Sequence, residues 1–158
     1  MRPMQISDLH SLVQPLELGP AVPAEIRLQF DSAPNAFIYS WFAYDLVTLA
    51  ERQSYTVMEM ALRLRADREG QNINPWDGLK RLFDIAVERG WLQPEQFEIP
   101  SPGVPGKSIS LLDMARRLRN NLAHGEIHLF PGGSLGMMRL CAEVISSLFP
   151  SVSADGDT

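Results

Sequence analysis

From Pro34 to about Asp67 the chain contains no internal glycine or proline. Ser32 precedes this stretch as a cap and Pro34 falls in its first turn, so it reads as one long helix. Apolar residues cover more than one of its stripes: Phe37, Trp41, Tyr44, Val47, Met58 and Leu62 on one side, Ala43, Leu46, Ala50, Val57 and Leu64 on another. A helix apolar on several sides has to be surrounded by other elements, so the expected architecture is a helical bundle built around it.

The remaining chain is punctuated by its prolines and glycines. Residues 1–33 carry Pro3, Pro15, Pro20 and Pro23 without a sustained helical period, which predicts an extended N-terminal arm. Within it Ile26, Leu28 and Phe30 alternate with polar residues as in a short strand. Ile127 and Leu129 in EIHLF show the same alternation, so the two segments could form a peripheral β pair. Asn74 and Pro75 start a second helix, and Trp76, Leu79, Leu82, Phe83, Ala86 and Val87 recur along it until Gly90. Residues 93–107 hold Pro94, Pro100, Pro102, Pro105, Gly103 and Gly106 and read as a loop. A third helix starts at Ser108 or Ser110 and stops at Gly125. After a turn at Gly132 and Gly133, a fourth runs from about Ser134 to Phe149. Residues 34–150 thus form one all-α domain, and the tail 151–158 has nothing to bury and reads as disordered.

A chain of 158 residues, 45% of them hydrophobic, can bury one core without metal or disulfide support. Cys141 is the only cysteine, and His10 and His128 lack partners at ligand spacing, so neither a metal site nor a cofactor is expected. No window approaches the ~20 apolar residues of a membrane span, and MRPMQISDLH lacks the basic-then-apolar order of a signal peptide. The expected location is the cytoplasm, away from any membrane. A net charge of -5 argues against a broad basic coat for nucleic acid but allows a small basic cleft, and Arg116, Arg117 and Arg119 are the densest basic group.

Those arginines lie on the third helix. At ~100° per residue, Leu111, Ala115, Leu118 and Leu122 share its core face. Asp113, Arg116, Arg117, Asn120 and His124 share the polar arc, and Arg119 lies at its edge. A solvated helix face would account for most of this pattern. It does not account for Asn120 and Asn121, poor helix formers set side by side between an arginine and a histidine.

The segment RNNLAHG, Arg119 to Gly125, resembles the active-site motif of the HEPN superfamily: arginine, a polar residue, three further residues, histidine, here followed by glycine. The resemblance covers about residues 34–149. It implies an all-α, up-down bundle of about four main helices with the motif late in the third. It also implies a metal-independent endoribonuclease in which the ribose 2′-hydroxyl attacks the adjacent phosphate. In that reading Arg119, Asn120 and His124 are catalytic: His124 moves protons, Arg119 offers its donor fork to the phosphate, and Asn120 orients one of them. Arg116 would contact the RNA substrate. Some branches of the family place an acidic residue of an earlier helix beside the motif arginine, and Glu51 is the residue assigned here to pair with Arg119 at the substrate site. Family members generally work as homodimers with a composite site, which would also gather basic residues from two copies.

The implied role is a toxin or anti-phage defence effector with an antitoxin or other regulatory partner protein. In one large branch the position two beyond the motif histidine is a tyrosine that a partner nucleotidyltransferase modifies. Here it is Glu126, so that mode of silencing is not expected. The main alternative is a non-catalytic HEPN module that binds nucleotide or protein, and a third is a plain helical dimerisation protein.

Overall fold

The structure, a computed structural model, describes residues 3–125 and 131–151. Its elements are α1 (Ile6–Val13), a 3-10 turn (Gln14–Leu16), α2 (Ala24–Phe30), α3 (Ser32–Tyr39), α4 (Leu46–Arg68) and α5 (Leu79–Glu88), then a 3-10 turn (Pro94–Phe97), β1 (Glu98–Pro100), β2 (Ser108–Ser110), α6 (Leu111–Ala123) and α7 (Pro131–Leu148). The fold is mostly helical, with one small antiparallel pair in which Ile99 faces Ile109.

Helix α4 is the axis of the molecule and packs against α2, α3, α5, α6 and α7. Its Val47, Ala50, Val57, Met58, Ala61 and Leu62 are buried. The main partner is α7, which buries Met138, Cys141, Ile145 and Leu148 at intervals of three and four. Side chains the size of Met58 or Leu62 each contribute about 2 kcal/mol when withdrawn from water. The all-round apolarity of this stretch therefore did identify the central helix.

Its length needs correction. The expected helix over 34–67 is two helices, because residues 40–45 tighten into a turn with bonds from Trp41 N–H to Ile38 O, Phe42 N–H to Tyr39 O and Leu46 N–H to Ala43 O. The Ser40 hydroxyl donates to Phe37 O at 2.6 Å, the local competition through which serine ends helices. The turn lets α3 fold back so that Phe37 and Ile38 pack into the core.

Residues 1–33 are not an extended arm either. Val22, Ile26, Phe30, Ala33 and Phe37 are all buried at intervals of four, four, three and four, a helical stripe running through α2 into α3. EIRLQF is α2 rather than a strand. Positions 26 and 30 fit both periods, and Leu28, exposed to solvent, decides for the helix. Helix α1 adds Leu9 and Val13 to the same core.

Three boundaries also move. Asn74 does not cap a helix: its N–H donates to Oδ2 of Asp77 at 2.9 Å, and α5 starts only after Gly78, leaving Trp76 88% exposed. A Pro-Trp-Asp-Gly run is good turn chemistry, which here prevails over a helix start. The proline-rich loop contains β1, and β2 follows it, so the β pair lies there and not at 26–30. Gly132 and Gly133 belong to the first turn of α7. The segment EIHLF, with Glu126, His128 and the proposed second strand, and the tail 152–158 lie outside the described residues. Among the described residues no helix is long and apolar enough to cross a membrane.

Candidate functional site

Helix α6 begins as its sequence predicts. The Ser110 hydroxyl accepts the Asp113 N–H at 3.2 Å, and Asp113 places its charge on the first turn, where the helix dipole favours an anion. Asp113 also binds Arg116 at 2.8 Å and Arg117 at 2.9 Å. The hydrogen bond from Arg116 is the chief reason its carboxyl lies below the ordinary aspartate value. At the other end His124 is the C-cap residue, its N–H directed to the carbonyls of Asn120 and Asn121, and Gly125 follows at φ 86, a left-handed conformation that favours glycine. Leu112, Ala115 and Leu122 face the core, with Leu111 and Leu118 at its margin. Relative to the expected core face, Leu112 replaces Leu111 as the buried leucine of the first turn.

Helix α6 lies beside α4, and between them is an open cleft of about 670 Å³. On the α4 side it is lined by Arg52, Thr56, Glu59 and Arg63, spaced four, three and four, and on the α6 side by Arg119, Leu122 and Ala123. Arg119 donates from Nη2 to Oε2 of Glu59 at 2.8 Å. The other oxygen of Glu59 accepts from Arg63 at 3.1 Å. Arg63 in turn donates to the carbonyls of Asn74, Pro75 and Asp77, clamping the turn before α5. Arg52 donates to the Leu122 carbonyl at 2.9 Å, satisfying an acceptor at the exposed end of α6. Three guanidinium groups against one carboxylate give this cleft an excess of positive charge in a chain whose net charge is -5. Such a cleft suits an anion, and the planar donor forks suit phosphate.

The expected site residues are only partly brought together. Arg119 faces the cleft, half-exposed, with Glu59 beside it. His124 is exposed at the end of α6 and Asn120 is half-buried one turn earlier; neither side chain has a hydrogen-bond partner among the described residues. Arg116 is not in this cleft. It lines a groove of about 360 Å³ between α5 and α6, with Lys80, Asp84 and Asp113.

Glu51 requires a correction as well. It does not pair with Arg119 but is buried, 7% exposed, accepting from the Tyr55 hydroxyl at 3.0 Å and from the Ser134 hydroxyl of α7 at 2.6 Å. Burial, and then the Glu51 carboxylate, push the Tyr55 phenol well above its ordinary value. The acidic partner of Arg119 is Glu59, two turns further along α4. Arg52, Glu59 and Arg63 were not among the expected site residues, although their spacing marks one polar stripe on an otherwise apolar helix.

Among the described residues no group of His, Cys, Asp and Glu side chains is placed to hold a metal ion. No family model, no curated protein and no solved structure matches the chain.

Proposed function

We propose that the protein is a metal-independent endoribonuclease of HEPN type, an up-down bundle that works in the cytoplasm as a homodimer. The observation that carries this reading is the end of α6, where RNNLAHG sets Arg119 into a cationic cleft and leaves His124 exposed one turn on. In the reaction the 2′-oxygen of a ribose bonds to the adjacent phosphorus as the bond from phosphorus to the 5′-oxygen breaks. The 2′-hydroxyl gives up its proton, the leaving 5′-oxygen gains one, and the products are a cyclic phosphate and a 5′-hydroxyl. Two copies of His124 in a dimer provide one imidazole to take the first proton and one to give the second. Arg119 would exchange Glu59 for the phosphate oxygens as their charge grows, and Asn120 would orient the ring or the phosphate. A toxin or anti-phage effector held by an antitoxin or similar regulatory partner fits such an activity.

The test is incubation of purified wild type, Arg119→Ala and His124→Ala with RNA in the presence of a chelator. Wild type is expected to cleave, and each variant to lose at least ~100-fold, the scale of one general acid or one preorganised charge. Equal cleavage by all three would refute the proposal.

One observation favours a second reading, a non-catalytic HEPN module that binds nucleotide or protein: the fork of Arg119 is already engaged by Glu59. In that case wild type leaves RNA intact, and a nucleotide titrated in a calorimeter binds with an affinity that Arg119→Ala reduces.

A further inference from the structure

The turn between α3 and α4 exposes four aromatic side chains within six residues: Tyr39, Trp41, Phe42 and Tyr44, with Phe42 73% exposed. Single exposed apolar residues are ordinary, but a contiguous set marks a binding surface. The rings of Tyr39 and Phe42 are 6.4 Å apart and tilted by 43°, so they do not cover each other face to face.

This turn runs directly into the cleft. Leu49, itself exposed, lies on the same side of α4 as Arg52, Thr56, Met60 and Arg63, within about a third of the helix circumference. Arg52 follows Leu49 by one turn, about 5 Å along the axis. A single continuous surface therefore passes from exposed aromatic rings to a cleft with excess positive charge. Asp45 is the only acidic residue between 39 and 49.

Resting on the reading of the cleft as an RNA site, we infer that the turn at 39–44 is a base-stacking platform and that the RNA engaged is single-stranded. Its bases lie on Trp41 and Phe42 while its phosphates pass Arg52 toward Arg119. An unpaired strand offers both things this surface can use, a line of anionic groups and flat π faces. A duplex offers the anions but hides the faces of its bases. A protein partner would satisfy the rings and leave the adjoining cationic cleft without its complement.

The experiment measures binding of a labelled ten-nucleotide adenosine oligoribonucleotide, alone and annealed to its complement, using the full chain carrying His124→Ala so that no strand is cut. The single strand is expected to bind at least tenfold more tightly than the duplex. Adding Trp41→Ala and Phe42→Ala together should weaken single-strand binding by about 5- to 100-fold with an unchanged salt slope, whereas adding Arg52→Gln should flatten that slope. Trp41→Phe alone should retain most of the affinity, and circular dichroism melting of the double variant should match its parent because both side chains are exposed. Equal binding of duplex and single strand, or unchanged affinity in the Trp41/Phe42 variant, overturns the inference. Conversion of a dimer to a monomer by that variant, with RNA affinity per protomer retained, also overturns it and assigns the turn to contact between copies. Intact strand binding without cleavage by wild type would refute the nuclease while leaving the platform; normal cleavage with unchanged binding by the variant would do the reverse.

Discussion

Glu59 holds Arg119 across the α4–α6 cleft at 2.8 Å and divides its charge with Arg63 at 3.1 Å. The arginine of the motif is thus kept extended toward the cleft by a carboxylate that any phosphate must displace. Glu59→Gln removes that competitor. RNA affinity is expected to rise several-fold and its salt slope to steepen by up to about 1, because a further cationic group becomes available to phosphate. Turnover is expected to fall, since Arg119 is then less well aimed, so KM and kcat should decrease together in steady-state cleavage assays. A rise in kcat would show that the pair restrains the arginine rather than positions it.

The second acidic residue of α4 has a structural role. Glu51 joins the first turn of α7 to the core through Ser134, so Ser134→Ala deprives a buried carboxylate of one of its two donors. The expected loss is about 1–3 kcal/mol in a denaturant titration. Glu51→Ala should cost more, because it opens a cavity and leaves the Tyr55 and Ser134 hydroxyls without their acceptor. Neither substitution should alter Arg119 chemistry beyond what the lost stability explains. A cleavage defect in a fully folded Ser134→Ala protein would contradict this assignment.

Asp113 links the start of α6 to pH. Its carboxyl is held below the ordinary aspartate value, so the stabilisation it gives is fully present above that value, about pH 4, and is lost as pH falls through the folded-state value. Asp113→Asn should therefore lower stability at neutral pH by a few tenths to about 1 kcal/mol, the range of exposed ion pairs and helix-start charges. The difference from wild type should vanish in melts below about pH 3. A difference that persists there would mean that Asp113 acts through something other than its charge.

Cys141 is fully buried against α4, and burial, then the charge of Glu51, pushes its thiol above the ordinary range. A thiolate is the reactive form, so the native protein is expected to resist a maleimide or an aromatic disulfide at neutral pH and to react only on unfolding. The reaction rate measured across a denaturant series should track the unfolded fraction. Rapid labelling of native protein would place the α4–α7 contact in exchange with an open form.

The readable parts of the sequence were those governed by local chemistry. Ser110 and Gly125 bound α6 because a capping hydroxyl and a left-handed stop act within one turn of themselves. The central helix was readable because its apolar residues leave no side that could face only water. The break at 40–45 was not, because it depends on Phe37 and Ile38 packing back onto α4, and no residue inside the turn forbids a helix. The shared positions of Ile26 and Phe30 fit a strand as well as a helix until the exposure of Leu28 is known. Choosing between Glu51 and Glu59 as the partner of Arg119 is a question of how α4 is rotated about its axis against α6. Eight residues separate the two carboxylates, about 80° around the helix, and the sequence of either helix alone contains no record of that angle.

Helix α4 grips its neighbours at fixed intervals: Glu51 takes the start of α7, Arg52 the end of α6, Glu59 the motif arginine and Arg63 the turn before α5. These ties share one helical phase. Inserting or deleting a single residue between 52 and 59 would swing everything beyond it by about 100°, parting Glu59 from Arg119 and Arg63 from its carbonyls in one step. Descendants of this chain can therefore vary its loops and the length of its termini far more freely than the spacing within α4, where lengthening has to come in whole turns or not at all.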